Sequence, residues 1–155
     1  MITNFTNINF ETDIILPPNI TSLNNKIKIV CNDLPALNIV KDESLLNYTI
    51  EQTEKFRKNK KHFVVFGTGG SNLGARALIN ILVDKPKNIQ FFDNIDPLFF
   101  EKQITNLDIK STGFIIISKS GTTPETLSQF GSVIKIAKEK NILETLFSNS
   151  LVITE

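Results

Sequence analysis

Between Ile117 and Leu127 the chain sets Ser118, Lys119, Ser120, Gly121, Thr122 and Thr123 in succession, followed by Pro124 and Glu125. An anion such as phosphate is held by hydroxyl and backbone N–H donors, best at a helix start where N–H groups point outward and the helix dipole is positive. This segment has those parts. The β-branched run ending at Ile117 reads as a strand, Thr122 or Thr123 suits an N-cap, Pro124 the first helical position and Glu125 the first turn. Gly121 permits a tight turn. Lys119 brings either its ammonium or its backbone N–H. A plain helix cap needs one hydroxyl, whereas four hydroxyls, a lysine and a glycine crowd six positions here. The segment therefore reads as an anion cradle.

A second unit lies upstream, Phe63-Val-Val-Phe-Gly-Thr-Gly-Gly-Ser-Asn-Leu-Gly74. It holds Gly67, Gly69, Gly70 and Gly74, four of the seven glycines in the chain. It fails both common nucleotide motifs. A dinucleotide fingerprint needs a third glycine where Asn72 stands, although Asp93 falls near the distance of a ribose-binding acid. A P-loop needs lysine and a hydroxyl where Ala75 and Arg76 stand. What remains is a backbone floor with one hydroxyl, Ser71, suited to a compact polar ligand such as a sugar. Arg76, early in the next helix, is placed either to reach an anion or to form a surface salt bridge. Asp93 reads as a strand-end turn residue.

These loops need a scaffold, and the hydrophobic pattern supplies one. Strands are expected at Phe63–Phe66, Ile89–Phe92, Gly113–Ile117 and Leu151–Thr154. Helices are expected at Asn72–Val83, Pro97–Gln103 and Glu125–Lys138, the last with an apolar face through Leu127, Phe130, Val133, Ile134 and Ala137. Strands alternating with helices imply an α/β fold, a doubly wound, flavodoxin-like parallel sheet of four or more strands with helices on both faces. Ligands of such sheets bind beyond the carboxyl ends of the strands, where the strand order reverses. Both loops follow a strand, so neighbouring strands would bring them to one crevice. Upstream, the first forty or so residues read as an irregular arm broken by Pro17-Pro18 and Pro35, with a short helix near Leu23–Ile29. An amphipathic helix follows from Asp42, ending in the basic segment Arg57–Lys61, which reads as a solvated helix end. A parallel sheet normally covers its last strand with a helix; Glu155 directly after the fourth strand reads as an interruption within a larger protein.

Composition sets the outer limits. At 155 residues, 41% hydrophobic and 21% charged, the chain has the make-up of a globular domain, and its formal net charge of +1 offers no bulk electrostatic attraction to nucleic acid or membrane. The single cysteine, Cys31, has no intrachain disulfide partner and reads as a buried or half-buried small residue. With no secretory signal or long apolar span, the expected setting is cytoplasmic.

The motifs Gly67-Thr-Gly-Gly-Ser-Asn-Leu-Gly74, Asn94-Ile-Asp96 and Ser118-Lys-Ser-Gly-Thr-Thr-Pro-Glu-Thr126, in that order, resemble the glucose-6-phosphate isomerase family over roughly Phe63 to Glu155. The resemblance implies a sugar isomerase (SIS) domain over 61–155, incomplete at its end and preceded by an arm and helix over 1–60. It implies that Ser118, Lys119, Ser120 and Thr123, with Thr122 beside them, bind a substrate phosphate together with Ser71, and that Gly70 and Ser71 line the sugar. Thr68, often an apolar residue in the family, is a small departure. The implied partner is glucose 6-phosphate or fructose 6-phosphate, with no cofactor and no metal, in a homodimer of the full-length protein. The implied reaction opens the ring and moves a proton between C1 and C2 through an enediol(ate), with a glutamate as base.

The family's base glutamate, its arginine, its ring-opening histidine and a late lysine all lie beyond the matched region. No catalytic residue is therefore assigned in this chain. His62 precedes the first strand, away from the crevice, and Glu125 at a helix start suits the dipole better than general-base work. Two other readings remain: a free-standing SIS module that senses a phosphosugar and regulates a partner, and another phosphosugar isomerase such as a dual glucose/mannose enzyme. The surroundings of Lys119, Pro124 and Glu125 argue against the latter.

Overall fold

The computed structural model describes residues 20–83 and 88–155. They fall into two compact units divided between Thr49 and Ile50. In the first, α1 (Ile20–Asp33) and α2 (Pro35–Asn38) lead through a 3-10 turn (Ile39–Lys41) into α3 (Glu43–Arg57), which continues into the second unit. Pro17-Pro18 and the start of the expected arm lie outside the described residues. The helix expected near Leu23–Ile29 extends over fourteen residues, and Pro35 opens α2 at its first position, where a missing N–H costs nothing. Cys31 is free and half-buried. The start of α3 is set by Asp42, whose Oδ1 accepts hydrogen bonds from Ser44 Oγ (2.6 Å) and Leu45 N (3.0 Å).

The second unit runs β1 (His62–Phe66), α4 (Gly70–Leu82), β2 (Ile89–Phe92), α5 (Pro97–Thr105), a 3-10 turn (Ile109–Ser111), β3 (Thr112–Ile117), α6 (Pro124–Glu139), α7 (Leu143–Ser148) and β4 (Ser150–Ile153). The four strands form one parallel sheet in the order β2-β1-β3-β4. All four expected strands are present, with ends moved by a residue at most. The short α7 was not expected: Leu143–Ser148 is six residues long, too brief to show helical periodicity.

From β1 the chain steps one way to β2, then crosses back over β1 to β3 and on to β4. Right-handed crossovers in opposite directions place their helices on opposite faces. Val64, Phe66, Phe92, Phe114 and Ile116 share one face, each 5% exposed or less, and pack with Ile104 of α5, Val133 and Ala137 of α6 and Leu146 of α7. Phe66 is the hub of this core. Its ring lies 5.5 Å from Phe92, 6.2 Å from Phe100 and Phe130, and 6.3 Å from Phe114. Burying one such side chain stabilises the fold by about 1.5–3 kcal/mol.

Two helices depart from the expected pattern. In α4, Leu73, Leu78, Ile81 and Leu82 are all exposed, and the buried residue is Asn72. In α6, Val133 and Ala137 are buried and Phe130 and Ile134 half-buried as expected. Leu127, however, is 51% exposed, and the first two turns bury the polar Thr126 and Gln129 instead. The helix starts by facing the loops at the carboxyl end of the sheet and only later reaches the aromatic core.

On the opposite face, the Phe56 and Phe63 rings lie 6.1 Å apart and the Lys60 ammonium sits 4.9 Å above the Phe56 ring. Arg57 pairs with Glu54 at 3.2 Å. The basic segment is thus a helix end folded onto its own strand, and Asn59, with φ 62°, turns the chain there. Gly113 admits this packing: a Cβ would meet Lys60 Cδ at 2.8 Å, Phe63 Cδ1 at 2.9 Å and Phe56 Cζ at 3.0 Å. Gly131, in the exposed middle of α6, meets nothing within 4 Å. In urea unfolding, Gly113→Val is expected to lose about 1–3 kcal/mol through overpacking. Gly131→Ala is expected to gain about 0.5–1 kcal/mol through helix propensity.

Asp108 organises the entry to β3. Its Oδ2 accepts from Ser111 Oγ (2.7 Å), its Oδ1 from Lys110 N (3.1 Å), and its carbonyl from Thr112 Oγ1 (2.8 Å). The Ser111 hydrogen bond first, then the Lys110 N–H and the charges of Lys110 and Lys61, hold its carboxyl below the ordinary 3.8. A carboxyl whose value is lower folded than unfolded stabilises the fold above its unfolded value, and that contribution vanishes as pH falls through the folded value. A carboxyl-detected NMR titration should place the Asp108 midpoint below 3.8, and Ser111→Ala should move it upward.

Candidate functional site

Parallel pairing puts Phe66 opposite Ile116, so the loops that follow β1 and β3 leave the sheet side by side. Strand order reverses between these two strands, where a crevice opens because successive helices lie on opposite faces. Gly67 lies close against the end of β3: a Cβ there would stand 3.2 Å from Ser71 Cβ and 3.4 Å from the Ile117 carbonyl oxygen. A side chain there would crowd the first loop against β3.

The first loop is shorter than the sequence suggested. Gly69, with φ 54° and ψ −125°, caps α4, so Gly70 and Ser71 form the first turn of the helix instead of a flat floor. A non-glycine residue would be strained at Gly69. Among the described residues, no acceptor meets the N–H of Gly69 or Gly70. Asn72, at the position where a dinucleotide motif would carry glycine, is fully buried and donates from Nδ2 to the Gly67 carbonyl at 3.1 Å. It ties the loop to the helix that follows.

The second loop folds around two hydroxyl pairs. Ser118 Oγ and Thr123 Oγ1 share a hydrogen bond of 2.8 Å. Ser120 Oγ accepts from Thr122 N at 3.2 Å and from Thr122 Oγ1 at 3.0 Å. Gly121, with φ 68°, closes the turn by donating its N–H to the Ser118 carbonyl at 3.2 Å. The loop is backed by β4, since Ser118 N donates to the Ile153 carbonyl at 3.0 Å.

Thr123 occupies the N-cap of α6, but its hydroxyl makes no capping bond. The expectation that Thr122 or Thr123 caps the helix holds for the position of Thr123 and fails for its side chain. Ser118 engages that hydroxyl instead. In consequence the N–H groups of Glu125 and Thr126 meet no acceptor among the described residues, and neither do those of Lys119, Ser120 and Thr123. A helix start left uncapped beside exposed hydroxyls is electrically suited to an anion.

Lys119 stands apart. Its side chain is 81% exposed and its Nζ lies 3.4 Å from Glu155 Oε1, so the backbone N–H is its contribution to the loop. Arg76 resolves to the salt-bridge alternative, its Nη1 lying 2.8 Å from Asp93 Oδ2. His62 opens β1 at the amino end of the sheet, opposite to both loops. Glu125 sits in the first turn of α6. Sequence reasoning missed Asn72, Thr126 and Gln129, buried polar residues around the loops. The signal was present for Thr126 and Gln129, polar residues at helical spacing on a face otherwise apolar toward its C-terminus.

The parallel sheet, its switch point and the donor-rich loops that follow β1 and β3 define a doubly wound α/β protein with open N–H groups at its carboxyl edge. Comparison with known proteins gives the family. Residues 48–152 match the phosphoglucose isomerase family model, and the chain belongs to that family. It is 29% identical to a probable glucose-6-phosphate isomerase of Methanococcus maripaludis over 87% of this chain and 36% of that protein. Against a glucose-6-phosphate isomerase of Treponema denticola it is 39% identical over 52% of this chain and 16% of that one. A crystal structure of a glucose-6-phosphate isomerase from Chlamydia trachomatis superposes with a TM-score of 0.59 at 26% identity, covering 68% of this chain and 20% of the other. The chain thus spans about a third or less of these relatives.

If Thr123 acts through Ser118 and not as a cap, their substitutions will not add. Ser118→Ala and Thr123→Val, alone and together, should give a coupling energy of about 1 kcal/mol in urea unfolding. A coupling near zero would show that the two hydroxyls act independently.

Proposed function

We propose that this chain provides the phosphosugar-binding portion of an aldose–ketose isomerase that interconverts glucose 6-phosphate and fructose 6-phosphate. The observation that carries the proposal is the pairing of β1 with β3, which sets side by side a loop with open N–H groups at Gly69 and Gly70 and one with open N–H groups at Lys119, Ser120, Thr123, Glu125 and Thr126. The phosphate is held by the open N–H groups of Lys119, Ser120 and Thr123 and by the loop's hydroxyls, where Ser120 and Thr122 form the exposed rim and Ser118 and Thr123 the support. Gly70 and Ser71, at the start of α4, meet the sugar. The SIS-type domain is assigned to 61–155, and the arm and helix to 1–60.

Isomerisation itself needs a base able to move a proton between C1 and C2. Glu125 is the acid nearest the phosphate loop in sequence, and its place in the first turn of α6 suits the helix dipole better than general-base work. The role of these 155 residues is therefore to bind and orient, and the base is supplied from elsewhere in an active assembly. Such an assembly is proposed to be a homodimer, a reading supported by the exposed Leu73, Leu78, Ile81 and Leu82 of α4. No described helix is long and apolar enough to cross a membrane, and the cytoplasm is the proposed setting.

Calorimetric titration with 6-phosphogluconate tests the site, because this ligand joins a phosphate to an open six-carbon chain. Ser120→Ala combined with Thr123→Ala should weaken binding about tenfold or more, two hydrogen bonds to a charged group being lost. Equal affinities for wild type and the double variant would remove this loop from the site.

A further inference from the structure

The four-residue loop after β2, Asp93–Asp96, is held from both sides by helices that start at the proposed site. On one side Arg76 of α4 reaches Asp93, Nη1 to Oδ2, at 2.8 Å. On the other, Gln129 of α6 donates from Nε2 to the Asn94 carbonyl at 2.9 Å, across 35 residues of sequence. The loop is also stiff in itself. Asn94 Oδ1 accepts from Asp96 N at 3.1 Å, and Asp96 Oδ1 caps α5 by accepting from Leu98 N (2.9 Å) and Phe99 N (3.1 Å). Gln129 is only 3% exposed and its Oε1 has no partner among the described residues. Burying an amide with one end unsatisfied is costly, which local helix stability alone does not account for.

We infer that Gln129 is a positioning residue: together with Arg76 and Asp93 it clasps the Asp93–Asp96 loop between α4 and α6 and so sets the separation of the two helix starts. This inference rests on the proposed phosphosugar site and deepens it. The two cross-links differ in strength. Arg76 and Asp93 are 49% and 39% exposed, so their pair is screened and weak. The Gln129 bond is partly buried and replaces water that cannot reach the carbonyl equally well.

The consequence concerns ligand size. A free phosphate sits on the α6 loop alone and does not sense the distance to α4. A phosphorylated six-carbon chain touches both helix starts and does. Sharpening that distance selects a ligand of matching length, the geometric basis of preorganised binding.

The experiment measures affinities of the full 155-residue chain for inorganic phosphate and for 6-phosphogluconate. Gln129→Met keeps the side chain's length and removes the donor. It should weaken 6-phosphogluconate about fivefold, the loss of one net hydrogen bond, while phosphate stays within about twofold. Asp93→Asn, at the exposed cross-link, should produce the same selectivity at about twofold, and it carries the test alone if the Gln129 variant does not fold. Equal weakening of both ligands, or of neither, overturns the clasp and leaves the phosphate site standing. Failure of the wild-type chain to bind either ligand overturns the site and the clasp together.

Discussion

The pairing of β1 with β3 is the constraint on which the rest of this structure depends. These strands are separated in sequence by β2 and two helices, yet they lie in register from His62 opposite Thr112 to Phe66 opposite Ile116. That adjacency places the order reversal between them and sets their following loops side by side. It also stacks Phe66 on Phe114 at 6.3 Å with the rings 13° from parallel, so one pairing serves both the core and the crevice. Had β3 joined the sheet outside β2, the same two motifs would sit on distant edges and share no ligand.

Polar groups near the crevice follow a division of labour that the chemistry of capping makes plain. Polar side chains there are committed to other partners: the N-cap Thr123 to Ser118, Asn72 to the Gly67 carbonyl and Gln129 to the Asn94 carbonyl. The N–H groups of Gly70 at the start of α4 and of Glu125 and Thr126 at the start of α6 meet no acceptor among the described residues. Contrast α5, whose Asp96 caps it in the ordinary way.

Much of this was legible from residue types. The runs Phe63–Phe66 and Phe114–Ile117 announce buried strands because β-branched and aromatic residues without polar interruption fit a sheet covered on both sides. Gly69 and Gly121 mark the turns because both adopt positive φ. Ser118 to Thr123 announces a hydroxyl-rich turn into a helix by its composition. What escaped the sequence has physical causes. The start of α4 at Gly70 was masked by poor helix-forming residues, which the junction with β1 overrides. The buried Gln129 and the exposed Leu127 were inverted because a helical periodicity shows that a stripe exists but not where along it the neighbour changes from core to loop. Arg76 could not be assigned from its own position, since its partner Asp93 is seventeen residues away.

The sequence by itself determined the four strands and the longer helices between them, the two donor-rich loops and the likeness to the phosphoglucose isomerase family, because these are properties of local composition and spacing. Tertiary structure alone decided that the loops leave neighbouring strands, that the Thr123 hydroxyl faces Ser118, and that Gln129 binds the loop after β2. The reason is the range of the interactions. Strand propensity and turn chemistry act over a few residues, whereas strand order and the pairing of buried polar groups are settled only when distant segments compete for the same partners in a closed core.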